Sequence, residues 1–183
     1  MAGSLPHFAD MRSIIFLYIA ALVLSACTST NKITEKGLSI AKLGGPMPTK
    51  GLAEYGGNAV RDTAYDEGGF QWRAMIVSYP EGEVFIEEDF GGQGLINRIR
   101  VETPDLKVSK NVEVGMLWKD LLPLKKNWDA IYLDAYQVWD VVFPGKRRIH
   151  YLIEEERELD QATIQRGYKE IAKEAKLRAI VIM

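Results

Sequence analysis

Apolar and polar side chains alternate over much of the chain beyond residue 35, a pattern typical of β-strands with one buried face. In the range Gly94–Thr103, Ile99 and Val101 lie on one predicted face, and Arg98 and Arg100 lie on the other. Similar runs predict further strands, which are Phe70–Tyr79, Glu83–Phe90, Ala130–Leu133, Tyr136–Phe143, Arg147–Glu155 and Lys176–Ile182. The pattern therefore predicts a domain built mainly from sheet.

Turn-forming residues separate two pairs of these strands and predict antiparallel hairpins. Pro80–Gly82 joins the first pair, and Pro144–Lys146 joins the second. In the first hairpin we expect Val84 and Ile86 to face the core and Glu87 to face outward. Hairpins without regular strand–helix alternation argue against a doubly wound parallel sheet.

Helical signals are few. Leucines at helical spacing predict a short helix over Leu117–Leu124. Asp160 is a suitable N-cap for a helix that extends to Ala175, although Gly167 inside it weakens the helix by about 1 kcal/mol. A third short helix is predicted around Thr49–Tyr55. The expected fold class is α+β, predominantly an antiparallel sheet with two or three short helices.

Composition narrows the range of functions. The chain has 183 residues, which suits one domain. Its net charge of −2 argues against a nucleic-acid binder, because such a protein needs surplus Lys and Arg to replace counterions on phosphates. The single Cys excludes an internal disulfide framework and a multi-Cys zinc site. No motif for a metal or a cofactor is found in the sequence.

The segment before the single Cys has the order of a bacterial export signal. Arg12 precedes the apolar run Ile14–Leu24, and the small residues Ser25 and Ala26 follow it. The run is about half as long as a membrane-spanning helix needs to be, so cleavage fits better than a permanent anchor. Asp10 dilutes the positive charge before the run, which favours Met11 as the true start and residues 1–10 as an over-called start.

The tetrapeptide Leu24-Ser25-Ala26-Cys27 resembles the lipobox of bacterial lipoproteins, in which the Cys thiol receives a diacylglyceryl group and the preceding peptide is removed. The resemblance implies lipidation at Cys27. By the sorting rule of enterobacterial lipoproteins, Thr28 after the Cys implies the outer membrane rather than the inner membrane. We expect a protein that is lipid-anchored in the outer membrane and faces the periplasm.

These observations divide the chain into three parts. Residues 1–26 form the signal peptide. Residues 27–36 form the lipidated Cys and a polar tether, and residues 37–183 form a single globular α+β domain.

Some side chains are candidates for acid–base chemistry. His150 is the only histidine after processing, and an imidazole titrates near neutral pH and can act as a general base. Glu87, Asp134 and Asp140 are candidate acids for a cell-wall glycan hydrolase with paired carboxylates, and aromatic residues lie near the last two. Their spacing matches no hydrolase signature, and solvated strand edges explain the same acids. We therefore assign no catalytic residues.

A basic patch is the other candidate site. Arg98, Arg100, Arg147 and Arg148, with Lys146, form one surface if their strands are neighbours. Such a surface can contact lipid phosphates or a carboxylate-bearing partner. The alternative is a solvated polar face that Glu102 and the acidic run after Ile153 balance.

Several short motifs resemble one family. They are Gly94-x-Ile96-x-Arg98-Ile99-x-Val101, Val112-x-Val114-Gly115 followed by Asp120-Leu121, Ile149-x-Tyr151-x-Ile153, and a closing strand at Leu177–Ile182. In this order they resemble the sigma-E-regulated (RpoE-regulated) lipoprotein family of proteobacterial envelopes, over residues 35–183. That family has no known biochemical function, so the resemblance implies an envelope location and no catalytic residues.

Three functions follow as expectations. The first is a non-enzymatic role, binding or scaffolding another envelope protein, lipid or peptidoglycan, with the membrane reached through the N-terminal lipid. The second is the glycan hydrolase. The third is an apolar small-ligand or lipid binder, for which we expect the tryptophans to be core residues rather than a pocket; these are Trp72, Trp118, Trp128 and Trp139.

Overall fold

The computed structural model describes residues 32–38, 41–48, 60–67, 69–89, 91–108, 112–124, 126–143, 145 and 148–183. Over these residues the protein is predominantly antiparallel sheet, and its helices are few and short, as the sequence predicts. The predicted signal peptide, the lipobox with Cys27 and the predicted helix around Thr49–Tyr55 lie outside the described residues.

The strands follow the alternating runs of the sequence. In chain order they are β1 Lys32–Ile33, β2 Val60–Glu67, β3 Phe70–Tyr79, β4 Gly82–Glu88, β5 Ile96–Val101, β6 Lys107–Val108, β7 Val112–Glu113, β8 Asp129–Leu133, β9 Val138–Val142, β10 Ile149–Glu154 and β11 Leu177–Ile182. All seven predicted strands are present, and both predicted hairpins are confirmed.

Eight strands form one antiparallel sheet in the order β2-β3-β4-β5-β11-β10-β9-β8. Two runs of hairpin-connected strands, β2 to β5 and β8 to β10, are joined by the last strand of the chain. Val101 of β5 pairs with Ile180 of β11, and Tyr151 of β10 pairs with the same residue from the other side. The C-terminal strand therefore completes the sheet at its centre.

The hydrophobic core lies against one face of this sheet. Ile86, Ile99, Ile153, Ile180 and Ile182 are fully buried there, at alternate positions of four neighbouring strands. The chain segments that cover this face contribute Ile33, Leu38, Ala41, Met47, Leu106, Val108, Val112, Trp118, Leu121, Trp128 and Ile171. The opposite face is left to line a cavity.

Three very short strands form a separate sheet in the order β1-β6-β7. Lys32 and Ile33 pair with Lys107 and Val108 in parallel, and Ile33 is buried. The predicted tether over residues 27–36 is therefore too long, because part of it belongs to the folded domain.

The helices are shorter than the leucine and isoleucine spacing predicts. Helix α1, Trp118–Leu121, continues as a 3₁₀-helix, Leu122–Leu124, which confirms the first predicted helix. Helix α2, Gln161–Arg166, begins at its predicted N-cap, where the Asp160 carboxylate accepts a hydrogen bond of 2.7 Å from the Thr163 amide. Its predicted extension to Ala175 is wrong.

The residue that ends α2 is Gly167, which has a φ of +67°. A residue in this conformation interrupts the helical hydrogen-bond pattern, and glycine adopts it at low cost. A 3₁₀-helix follows over Gly167–Glu170. The apolar stripe continues beyond Gly167, so periodicity alone could not place the end.

Candidate functional site

A cavity of about 510 Å³ lies on the face of the large sheet opposite the core. Its lining includes Tyr65 and Asp66 near one edge of the sheet, in β2, and Leu133 and Tyr136 near the other edge. Because residues of both edges line one cavity, the sheet must curve strongly around it. The volume is within the range of pockets that hold drug-sized ligands, about 300–1,000 Å³.

A buried acid forms one wall of the cavity. Glu87 of β4 is 2% exposed, and its Oε2 accepts a hydrogen bond of 3.2 Å from Trp72 Nε1. Arg98, its register partner on β5, donates to the same oxygen from Nε at 3.1 Å and also from Nη2. The other oxygen, Oε1, is buried and has no hydrogen-bond partner among the described residues.

The prediction that Glu87 faces outward is correct for its side of the sheet and wrong for its environment. Trp72 and Arg98 cover the outer face at this point, so the carboxylate is buried on the side opposite the core. A two-sided burial of this kind depends on the curvature of the sheet, which alternation along one strand does not reveal.

Arg100 lies over an aromatic ring. Its guanidinium carbon lies 4.1 Å from the ring centroid of Phe85, its register partner on β4. Its Nε lies 3.2 Å from Glu102 Oε1, close enough for an ion pair but not aligned as a hydrogen bond, so this buried Nε has no hydrogen-bond acceptor among the described residues. The contact with Phe85 is a cation–π interaction, which leaves N–H donors of the guanidinium for another group.

Two sequence candidates meet on the far side of the cavity. His150 of β10 and Asp140 of β9 both line it, and His150 Nδ1 lies 2.9 Å and 3.0 Å from the two carboxylate oxygens of Asp140. A carboxylate at Nδ1 orients the imidazole ring and selects the tautomer with the proton on Nδ1. The sequence does not predict this pair, because the two residues lie on separate strands.

The floor between these walls is narrow and apolar. Val181 of β11 pairs with Arg100 on one side and with His150 on the other, so these two side chains flank it. Ala179, the next residue on this face, is also buried and small. Short side chains in the centre and long polar ones on both sides leave the space that forms the cavity.

Arg178 also lines the cavity, and the sequence analysis missed it. Ala179 pairs with Leu152, but Leu177 pairs with the next residue, Ile153, so Arg178 is an extra residue in a β-bulge. A bulge redirects the side chain of the extra residue. Strict alternation would assign Arg178 to the core face, and no sequence signal shows the bulge.

The predicted basic patch is divided by the structure. Arg98 and Arg100 are neighbours in the cavity wall. Arg148 is exposed and does not line the cavity, and Arg147 and Lys146 lie outside the described residues.

The predicted acids are also divided. Glu87 and Asp140 line the same cavity, whereas Asp134 is exposed in a 3₁₀-helix, Asp134–Tyr136, and does not. Three intervening strands separate β4 from β9, so Glu87 and Asp140 lie on different sides of the cavity.

The expectation that the tryptophans are core residues rather than pocket is correct for three of them and wrong for Trp72. Trp118, Trp128 and Trp139 belong to the core. Trp72 is 7% exposed and lies on the cavity side, with its ring centroid 5.6 Å from that of Tyr65.

Formal charges in the cavity nearly cancel. Three arginines and four carboxylates line it, which gives −1 with His150 neutral and zero with His150 charged.

Within the described ranges, no group of His, Cys, Asp and Glu is arranged to hold a metal ion. No helix in the same part of the chain is long and apolar enough to cross a membrane.

The fold has a counterpart among solved structures. The chain is similar to the crystal structure of the uncharacterized protein yfeY from Escherichia coli, with a TM-score of 0.64 and 20% sequence identity. The similarity covers 82% of this chain and 98% of that chain. At this identity the similarity shows the fold alone. No family model and no curated protein matches the chain.

Proposed function

We propose that the chain is a lipid-anchored protein of the bacterial envelope, with one α+β domain that binds another envelope component in the cavity of its curved sheet. The cavity is the observation that carries the binding role: it is large enough for a ligand, and both apolar floor and polar walls line it. The anchor rests on the sequence before Cys27 and on the resemblance to sigma-E-regulated lipoproteins. The proposed location is the periplasmic face of the outer membrane.

The arrangement of the acids supports binding more than glycan hydrolysis. The two carboxyl groups of a glycosidase lie about 5–9.5 Å apart across the scissile bond. Glu87 and Asp140 lie on strands that three other strands separate, and each already has a basic partner, Arg98 and His150. Paired carboxylates of this kind position other side chains.

The Asp140–His150 contact supports a second candidate, a hydrolase in which His150 is the general base and Asp140 orients it. It predicts turnover of envelope material that His150→Asn abolishes. Incubating the protein with peptidoglycan and measuring new reducing ends and released peptides separates this candidate from simple binding.

The anchor is tested by labelling bacteria with radioactive palmitate. The wild-type chain should incorporate the label and fractionate with the outer membrane, whereas Cys27→Ser should do neither. Label in the Cys27→Ser variant, or an unlabelled wild-type chain, would contradict the lipoprotein proposal.

The binding role is tested by filling the cavity. Ala179→Leu adds bulk to the floor, and Ala162→Leu, at an exposed position of α2, is the matched control. In a Cys27→Ser background, which removes the proposed lipid anchor, retention of the purified chain on isolated envelopes should fall for Ala179→Leu and not for the control. Leu152→Trp fills the same cavity from the neighbouring strand if Ala179→Leu does not fold. Equal retention of all folded variants would refute a role for the cavity.

A further inference from the structure

We propose that the ligand of this cavity is a sugar, recognised through the hydroxyl groups and the ring of one or two saccharide units. This inference rests on the proposed binding function and names the chemical class of the ligand. Three independent features of the cavity support it: the balance of its charges, its unsatisfied polar atoms and the position of its aromatic rings.

The charges argue for a ligand that is rich in polar groups and carries little net charge. Arg98 is paired with Glu87, Arg100 with Glu102, and His150 with Asp140. A strong anion would gain from the arginines but would also approach four carboxylates. A neutral polyol uses both kinds of group, because each hydroxyl donates one hydrogen bond and accepts others.

The unsatisfied atoms are an acceptor and a donor on adjacent strands. Glu87 Oε1 is a buried acceptor without a hydrogen-bond partner among the described residues. Arg100 Nε is a buried donor that lies 3.2 Å from Glu102 Oε1 without forming an aligned hydrogen bond to it. Both belong to residues that line the cavity, and Arg100 lies two residues along β5 from Arg98, the register partner of Glu87. Leaving such groups unpaired is costly. Both atoms are themselves buried, so a sugar hydroxyl, or water in the free protein, completes their hydrogen bonds only after a small movement of the two side chains toward the cavity.

The third arginine adds donors to the same region. Arg178 lines the cavity at the bulge of β11, and no ion-pair partner for it is found in the described part of the chain. Arginine presents five N–H donors in a planar fork, which suits adjacent oxygens of one ligand.

Aromatic rings and the floor suit the faces of a sugar ring. Tyr65 and Tyr136 line the cavity near opposite edges of the sheet, and Tyr136 is 64% exposed. Their rings can cover the apolar C–H faces of a saccharide, while Ala179 and Val181 leave space beneath it. A purely apolar ligand would instead bury the charged walls without hydrogen bonds, which is unfavourable.

Calorimetric titration of the full chain tests the proposal. The detergent must carry no sugar, so lauryldimethylamine oxide is suitable. Three sugar probes distinguish the sources of the same chemistry: the N-acetylglucosamine disaccharide, the repeating disaccharide of peptidoglycan and the deacylated core oligosaccharide of lipopolysaccharide. Inorganic phosphate is the anion probe.

We expect at least one sugar to bind and phosphate not to compete with it. Arg100→Met keeps the aliphatic stem on Phe85 and removes the donors, and it should weaken binding about tenfold or more. Arg178→Met should weaken binding too, and it provides a second variant at an exposed position if Arg100→Met does not fold. Arg61→Met is the matched control, because Arg61 pairs with Glu83 and does not line the cavity.

The outcomes separate the two proposals. If no sugar binds, or if only phosphate does, while envelope retention still depends on Ala179, the sugar assignment is overturned and the binding role stands. If sugars bind equally to the wild type and to the Arg100→Met and Arg178→Met variants, the site lies elsewhere and the assignment to this cavity is wrong. Loss of binding in both variants but not in Arg61→Met supports it.

Discussion

A buried carboxylate on the core side of the sheet gives the sharpest stability prediction. Glu155 is 3% exposed. Its Oε2 accepts hydrogen bonds from Trp139 Nε1 at 3.2 Å and from Arg157 Nη2 at 2.6 Å, and its Oε1 accepts from Arg157 Nε at 2.8 Å and from the Arg157 amide at 3.2 Å. Replacing Arg157 by Met removes its two guanidinium bonds to Glu155 and a third to the Glu170 carbonyl oxygen at 2.7 Å, and it leaves the other two bonds to Glu155 in place.

The size of the expected loss of stability depends on the contacts of Glu155 that Arg157→Met leaves in place. Breaking a fully buried ion pair costs about 3–5 kcal/mol. The side chain of Arg157 is 49% exposed, so water screens part of the pair and can replace part of it. Trp139 and the backbone amide still support the carboxylate. We therefore expect Arg157→Met to lower the free energy of unfolding by about 2–3 kcal/mol.

The effect should depend on pH with a definite sign. Burial alone raises the pKa of Glu155, but hydrogen bonds from Arg157 and Trp139 and the charge of Arg157 outweigh it, so the pKa lies below the usual 4.5. A lowered pKa in the folded state means that this stabilisation is present above pH 4.5 and is lost as the pH falls through the folded-state pKa. The difference between wild type and Arg157→Met should therefore shrink in acid.

Urea unfolding followed by tryptophan fluorescence, at pH 7 and below pH 4, measures both effects. Lys119→Met is the control, because Lys119 and Glu174 form an exposed ion pair, and it should cost less than about 1 kcal/mol. In a Glu155→Gln background the cost of Arg157→Met should fall. A loss at pH 7 no larger than that of the control, or an equal loss at both pH values, would refute the reasoning.

Three further predictions concern packing and ionisation. Gly115→Ala should lower the free energy of unfolding by about 1–2 kcal/mol, measured by urea unfolding, because its Cβ meets open space and only a φ of +89° opposes the substitution. Gly82→Ala places a Cβ 2.1 Å from the Glu102 carbonyl oxygen and should cost at least twice as much. Leu121→Ala should cost about 2–5 kcal/mol because its side chain is fully buried, and the exposed Leu124→Ala should cost much less by the same measurement. Burial, with the charge of Glu35, raises the pKa of Tyr151 to about 12, so the tyrosinate absorbance should contain a late phenol that Tyr151→Phe removes. Burial also raises the pKa of Tyr79 and of Tyr132, and their titrations should remain in that variant. Tyr151 should stabilise the fold below pH 10 and cease to do so as the pH rises through 12. Equal costs for the two glycines or the two leucines, or no late phenol, would contradict these expectations.

The strands with one buried face could be predicted from the sequence, and β2 could not. Arg61, Asp62 and Asp66 make β2 polar, and its described side chains are exposed or half-exposed, as suits an edge strand. Its extended conformation comes from pairing with β3 over eight residues, from Val60↔Val77 to Glu67↔Phe70. A strand that buries little has no periodic signal, because nothing selects apolar residues on either face.

The candidate site was only partly accessible to sequence reasoning. Five polar residues that the sequence marks as candidates for binding or acid–base chemistry all line the cavity: Arg98, Arg100, Glu87, Asp140 and His150. Which of these residues pair with each other could not be predicted, because pairing depends on which strands are neighbours. Arg178 was not identified because a bulge places it.

Apart from the bulge at Arg178, the sequence alone determined which side chains of each predicted strand share a face, where the hairpins turn, and that the N-terminal segment has the pattern of a lipoprotein signal. These are local properties, since a period of two or a turn depends only on adjacent residues. Only the tertiary structure decided that β11 pairs between β5 and β10, and hence that Arg100 and His150 flank Val181. Strand order and curvature arise from contacts between residues far apart in the chain, so the cavity exists only in the folded sheet.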